Sequence, residues 1–268
     1  GYFGLEQPIK EYLPDFEMYD SVATAECTLK DMLTHNTGLG GHDALWVDNI
    51  TRAELWKRLR YLEPNKPFRS TVQYNNLIYT IAGHIAEKVT GKTWDKLIEE
   101  RIFKPLEMNN SNTSITKMVL SKDFATPYWQ SKSGPFEIDN WNVDLGGPAA
   151  SINSCVEDML KWLQFHIDEG VTQSKNGKEG KRLIKKETLN EMHKTQVPYT
   201  LWPWDFDELP PTGGYGMAWF TDVYRGKAMY FHVGEIEGYT ATEVVIPKEH
   251  LGIIILNNIH KPATLIQQ

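Results

Sequence analysis

Tyr74 and Asn76 stand two residues apart, immediately before an apolar rhythm at Leu77, Ile78, Ile81, Ala82, Ile85, Ala86 and Val89. Spacings of one, three and four residues predict one face of a helix, which Gly91 can end. If the chain ahead of that helix is extended, both side chains leave from the same side. A phenol can relay a proton and a carboxamide can orient a substrate amide, so the pair suits acyl-transfer chemistry. The ordinary alternative is a buried aromatic beside an Asn that caps the helix. His232 lies two residues before Gly234 in a β-rich run. Histidine titrates near neutrality and can carry or share a proton; a strand histidine with no such duty is the alternative there.

These groups sit in a chain of 268 residues, long enough to bury a substantial core as one large domain or two smaller ones. Its net charge of −7 and pI near 5.7 argue against nucleic acid or an anionic membrane as main partner. The run Ile253-Ile254-Ile255-Leu256 is far too short to span a bilayer. Cys27 and Cys155 are the only cysteines, so neither a disulfide framework nor a Cys-rich metal site is expected. The eight histidines contain no His-Glu-x-x-His and no close pair, and no metal site is expected from them. Asn49-Ile50-Thr51, Asn109-Asn110-Ser111 and Asn112-Thr113-Ser114 have the form of glycosylation sequons. The first residue is Gly1 and not Met, which reads as a processed form or a fragment.

Local signals mark the elements that must position the site. Thr28-Leu29-Lys30-Asp31 and Thr51-Arg52-Ala53-Glu54 have capping-box form, and Ser154-Cys155-Val156-Glu157 reads as a third. The first starts a short helix that Asn36-Thr37-Gly38 breaks, which makes His35 a capping or packing residue. Thr93 caps a helix expected to end before Pro105, and the helix after Ser154, with Met159, Leu160, Leu163 and Ile167, stops at Gly170. Residues 172–182 read as an exposed loop. The period then changes: Tyr215 to Val223, Lys227 to Val233, Tyr239 to Ile246 and Leu251 to Asn257 form a four-stranded antiparallel meander. Alternate residues of Val244-Val245-Ile246 and Ile253-Ile254-Ile255 should leave an uncovered apolar face on it. Gln196 to Gly214, rich in proline and aromatics with Trp202 and Trp204, forms either a cleft wall or a packed loop. The reading is an α+β fold, with residues 1–205 mainly helical and carrying Tyr-x-Asn, and 206–268 forming a sheet that carries His-x-Gly.

Together these pieces resemble the serine β-lactamase and penicillin-binding-protein superfamily, in the branch of class C β-lactamases, D-amino-acid peptidases and related esterases. Leu5 to Phe16 looks like the segment after that family's nucleophile helix, and Met32-Leu33-Thr34-His35-Asn36-Thr37-Gly38-Leu39 is close to a branch signature. Tyr74-Asn75-Asn76, Phe103-Lys104-Pro105-Leu106-Glu107-Met108 and Gly146-Gly147-Pro148-Ala149-Ala150-Ser151 match in type and order. Phe231-His232-Val233-Gly234-Glu235 matches the strand that carries Lys-Thr-Gly or His-x-Gly. The resemblance implies a β-lactamase/transpeptidase-like fold and cofactor-independent acyl transfer to a serine, with a small-molecule or peptide substrate. It implies proton transfer by Tyr74, substrate positioning by Asn76, and a cleft lined by His232. Gly234 would leave room for substrate, and the N–H of Glu235 would help to hold an oxyanion.

One part of the family pattern is absent. Its nucleophile lies in a Ser-x-x-Lys upstream of all these motifs. The only such spacing here, Ser114-Ile115-Thr116-Lys117, follows the Pro105 to Met108 match in a polar stretch, and reads as chance. A partial sequence of a longer hydrolase is the expectation, incomplete at the N-terminus and at the C-terminus. An inactive relative serving as a binding or secreted structural module is the alternative. A secreted or periplasmic location is expected.

Overall fold

The structure, a computed structural model, describes residues 4–46, 50–174, 179–199 and 213–260. Its described residues combine helices with mainly antiparallel strands, the α+β class expected. Two compact, discontinuous units form: one of Gly1–Lys96, Leu145–Ala149 and Glu191–Arg225, the other of Leu97–Asp144, Ala150–Asn190 and Gly226–Gln268. Residue 205, where the sequence places a domain boundary, and the aromatic pair Trp202 and Trp204 lie outside the described residues. Among the described residues no helix is long and apolar enough to cross a membrane.

The first unit has a helical core. Thr28 caps α1 (Leu29–Leu33) with a full capping box, its hydroxyl accepting from the Asp31 amide and the Asp31 carboxylate accepting from the Thr28 amide. Thr51 and Glu54 do the same for α2 (Arg52–Arg58). Then comes α3 (Asn76–Thr90), which ends where Gly91 turns left-handed at φ 68°, a conformation free of a Cβ clash only for glycine. Leu77, Ile78, Ile81 and Ile85 are fully buried along α3 and pack with Phe16, Met32, Leu55 and Leu59. The expected strand from Tyr215 to Val223 is instead a tight hairpin, Gly214–Tyr215 pairing with Phe220–Tyr224. The chain reverses between them because the Gly216 amide binds the Trp219 carbonyl and Ala218 takes φ 65°.

The second unit holds a hairpin that sequence periodicity misses, β1 (Tyr128–Ser131) with β2 (Gly134–Glu137). Its long helix is α4 (Val156–Ile167), and Ser154 does not cap it. Cys155 occupies the N-cap without a side-chain capping bond, and the Ser154 hydroxyl is engaged with that of Ser111. Leu160, expected in the buried stripe, is 49% exposed, while Leu163 and Phe165 are buried. Pro105 does not end the preceding helical run either. Trp94–Ile98 widens into a π-type turn over Glu99–Phe103, whose last bond runs from the Lys104 amide to Glu99, and Lys104–Leu106 follows. The proline enters where its missing N–H is no loss.

Three antiparallel strands complete this unit: β3 (Lys227–Ile236), β4 (Tyr239–Ile246) and β5 (Leu251–Asn257). After them β6 (Ile259–His260) runs parallel to β1. In register, Tyr230, Val245 and Gly252 lie in one row and His232, Glu243 and Ile254 in the next. A Cβ on Gly252 would lie 3.0 Å from Leu163, so this face meets α4. On the opposite face Val233 and Ile253 are each 41% exposed, whereas Ile246 is buried.

Gly83, in the middle of α3, packs against Pro148, and a Cβ there would stand 2.2 Å from the proline ring. Gly83→Ala gains about 1 kcal/mol of helix propensity, but overpacking costs about 1–3 kcal/mol. The expected outcome in urea denaturation is a lower midpoint. A higher midpoint would show that the Pro148 contact yields freely.

Candidate active site

The approach to Tyr74 is held by the loop that follows α1. Asp31, whose carboxylate already caps that helix, takes a two-pronged contact from Arg69, Nε to Oδ1 and Nη2 to Oδ2 at 2.9 Å each. Paired charge-assisted bonds of this kind fix direction as well as distance. The Arg69 amide binds the Asn36 carbonyl at 2.9 Å, and the Gln73 amide binds the His35 carbonyl at 2.7 Å. His35 takes φ 54°, and its Nδ1 accepts the Asn75 amide at 3.0 Å. An amide only donates, so this nitrogen carries no proton. The buried imidazole is wrapped by the rings of Tyr74, Tyr79 and Tyr215, at 4.3, 4.7 and 4.9 Å between centroids. His35 is thus a packing residue, as expected, and also a positioning one. That second role was invisible in the sequence because its partners lie 40 residues away.

Asn75, not Asn76, is the capping residue. Its Oδ1 accepts the Ile78 amide at 3.0 Å, and its Nδ2 donates to the carbonyls of Leu39 and Gly40. The backbone at Asn75 is extended, φ −151° and ψ 108°, and helix begins at Asn76. Side chains therefore alternate: Tyr74 is 39% exposed and Asn75 is buried, while Asn76 is half-buried, with no hydrogen bond on its carboxamide among the described residues. Desolvation, then the charges of Asp43 and Tyr199, push the Tyr74 pKa up to about 12. At neutral pH it is a phenol, a donor. Beneath it Tyr215 donates to Tyr79, whose hydroxyl binds the Leu33 carbonyl, and burial holds both phenols far above their ordinary range.

The second unit carries the other expected residues. His232 is half-buried on β3, and its Nδ1–H donates to the Val233 carbonyl at 2.9 Å. Burial brings its pKa down to about 4, so the ring is neutral at pH 7. Gly234 is exposed, and a Cβ there would meet only that of Ala241, at 3.9 Å. Packing does not require this glycine. The Glu235 carboxylate lies 3.2 Å from His260 Nδ1, a buried nitrogen without a hydrogen-bond partner among the described residues, and the His260 ring stacks on Trp129 at 3.9 Å. Ser114 is the N-cap of Ile115–Met118; its Oγ accepts the Thr116 amide and donates to Asp144. Among the described residues no cluster of His, Cys, Asp and Glu is placed to hold a metal.

A family model described as Beta-lactamase matches residues 1–266. The chain belongs to the beta-lactamase family. Among curated relatives, the unguisins hydrolase ungD of Aspergillus violaceofuscus is 26% identical over 256 residues, 91% of this chain and 45% of that protein. Penicillin-binding protein 4 of Amycolatopsis lactamdurans is 22% identical over 262 residues, 96% of this chain and 66% of that one. This beta-lactamase-family chain spans about half the length of the first curated relatives it matches. A D-stereospecific amidohydrolase from Streptomyces sp. superposes with TM-score 0.77 at 22% identity, over 97% of this chain and 76% of that one. A class C beta lactamase from Rhodobacter sphaeroides superposes with TM-score 0.72 at 18% identity, over 100% of this chain and 76% of that one. The architecture is the beta-lactamase/transpeptidase-like fold.

Buried histidines give the family member a testable acid response. His193, edge-on to Trp219 at 5.3 Å, is brought by burial to a pKa of about 4, as is His232. Unfolding restores an ordinary pKa of about 6.5, so between these values the unfolded chain binds more protons. The contribution of these two histidines to stability is therefore fully present above about pH 6.5 and is lost as pH falls toward 4, while Glu243, whose pKa burial pushes up to about 7, contributes in the opposite sense. Thermal melts across this range should show a smaller loss of stability on acidification in His193→Asn than in the unsubstituted chain. An unchanged loss would assign it to other groups.

Proposed function

We propose that the protein to which this chain belongs is a serine hydrolase that opens an amide, ester or lactam through an acyl-enzyme and needs no cofactor. One observation carries the reading: Tyr74, exposed and with its ring against that of His35, comes two residues before an Asn76 whose carboxamide has no hydrogen bond among the described residues. The family match along residues 1–266 supports it. In this reading Tyr74 relays the proton between nucleophile and leaving group, and Asn76 orients the acyl-side amide. The neutral His232 imidazole and the open surface at Gly234 receive the substrate, and the Glu235 N–H donates to the oxyanion.

The 268-residue chain by itself forms no acyl-enzyme. A phenol with a pKa near 12 is a poor base at neutral pH, and a cation beside it is the direct means of lowering that value. The family pattern supplies one as the lysine of Ser-x-x-Lys, which also brings the nucleophile. Ser114 does not substitute, since its hydroxyl is spent on Asp144 and on the cap it makes. Loss of one member of such a unit removes most of the activity, and further losses do not add. A fluorophosphonate probe should leave this chain unlabelled and label a form extended at its N-terminus to include Ser-x-x-Lys. Labelling of the short chain at Ser114 would overturn the assignment. Failure to label the extended form would favour the non-catalytic module.

A neutral imidazole holds a substrate carboxylate less well than the permanent cation of a lysine. Peptidase or esterase activity is therefore favoured over lactam hydrolysis, in keeping with relatives named as hydrolase and amidohydrolase. With the extended protein, short acyl esters and D-amino-acid peptides should be turned over faster than a cephalosporin. Efficient turnover of the cephalosporin alone would reverse that preference.

A further inference from the structure

Glu243 is a carboxyl group on the sheet face that carries His232 and Gly234. It lies directly opposite His232 on the neighbouring strand, with Ile254 on its other side. Opposed residues on paired strands share a face, with Cβ atoms about 4.5–5.5 Å apart. Gly234 is opposite Ala241, one step along in the same alternation, so imidazole, carboxyl and open glycine form one surface. The Trp162 indole of α4 donates to Glu243 Oε2 at 3.1 Å and fixes that oxygen. A glutamate reduced to anchoring an indole would have no reason to stand beside an exposed glycine that packing does not require.

The charged and titratable groups around it are few. From β3 come His232 and Tyr230, from β5 only Gly252, Ile254 and Leu256, and from α4 Trp162 with His166 edge-on to its ring at 4.3 Å. No lysine or arginine stands on this face of the three strands. The dry surroundings push the Glu243 pKa up to about 7, with the Trp162 hydrogen bond pulling the other way. His232 is already neutral there. The surface therefore holds no fixed positive charge near neutrality and gains a negative one as pH rises.

We propose that Glu243 is a specificity-determining residue, which makes the His232–Gly234 surface accept acyl compounds bearing an ammonium group or no charge and disfavour those bearing a carboxylate. The proposal rests on the acyl-transfer reading above and refines its substrate class. A carboxylate in a partly dry site acts on a neighbouring charge far more strongly than one in bulk water.

The test uses three matched anilides: (trimethylammonio)acetic p-nitroanilide with a permanent ammonium charge, p-nitroacetanilide with no charge, and succinic mono-p-nitroanilide with a carboxylate. In the extended, fluorophosphonate-reactive protein, the ratio of kcat/KM for the ammonium over the carboxylate compound should rise about tenfold between pH 6 and pH 8, as Glu243 ionises. Glu243→Gln keeps an acceptor for the Trp162 indole and removes the charge, so it should flatten this rise, mainly through KM. Glu243→Lys should invert the preference. A ratio that ignores pH and is the same in Glu243→Gln, in protein that still labels, would overturn this proposal while leaving the acyl-enzyme reading intact. A second measurement needs no catalysis. In the 268-residue chain the Trp162 indole N–H resonance, assigned with Trp162→Phe, should titrate with a midpoint near 7 and lose that step in Glu243→Gln. A midpoint near the ordinary glutamate value would count against the proposal whatever the labelling result.

Discussion

One buried carboxamide holds the first unit's site together. Asn75 caps α3 through its oxygen, ties the Leu39 and Gly40 carbonyls through its nitrogen, and gives its backbone amide to His35. A helix start leaves amides without partners, and a buried loop leaves carbonyls without partners. A single Asn answers both needs, and in doing so it fixes which way its two neighbours face. Tyr74 and Asn76 are presented because Asn75 is not. The Asp31–Arg69 pair and the aromatic shell of His35 hold the same segment from either end.

Electrostatically, the two groups of candidate residues share a tendency. Desolvation dominates in each case: it raises Tyr74, Tyr79, Tyr215 and Glu243, and it lowers His232. Burial disfavours whichever form is charged, so the three phenols and His232 rest neutral near pH 7 and Glu243 is poised between its two forms. Chemistry that needs a phenolate or an anionic nucleophile then depends on a cation brought close. This is the physical reason the proposed Ser-x-x-Lys segment matters to Tyr74 as much as to the serine it carries.

Pleating supplies the second arrangement. A period of two along each strand, combined with antiparallel register, turns residues far apart in sequence into neighbours on one face. His232, Gly234 and Glu243 meet in this way, and Trp162 reaches the last from a helix 81 residues distant. The same alternation sends the Glu235 side chain to the other side, where its carboxylate lies near His260.

What the sequence determined by itself was local. The capping boxes at Thr28 and Thr51, the buried stripe of α3 and its stop at Gly91 depend on residues within a few positions of one another, and they stand as read. Order and type of the motifs were enough for the family. Where a local signal met a distant partner, tertiary structure decided. Ser154 is engaged with Ser111 and does not cap α4, Leu160 was left outside the core, and Pro105 was accommodated by a π-type turn. The hairpin at Gly214–Tyr215 and Phe220–Tyr224 needed a left-handed alanine that no propensity foretells. Asn75, and not its neighbour, became the cap because only the folded loop offers it two carbonyls. Glu243 carried no motif at all. Its place beside His232 comes from strand register and its acidity from burial, and neither exists until the sheet has formed.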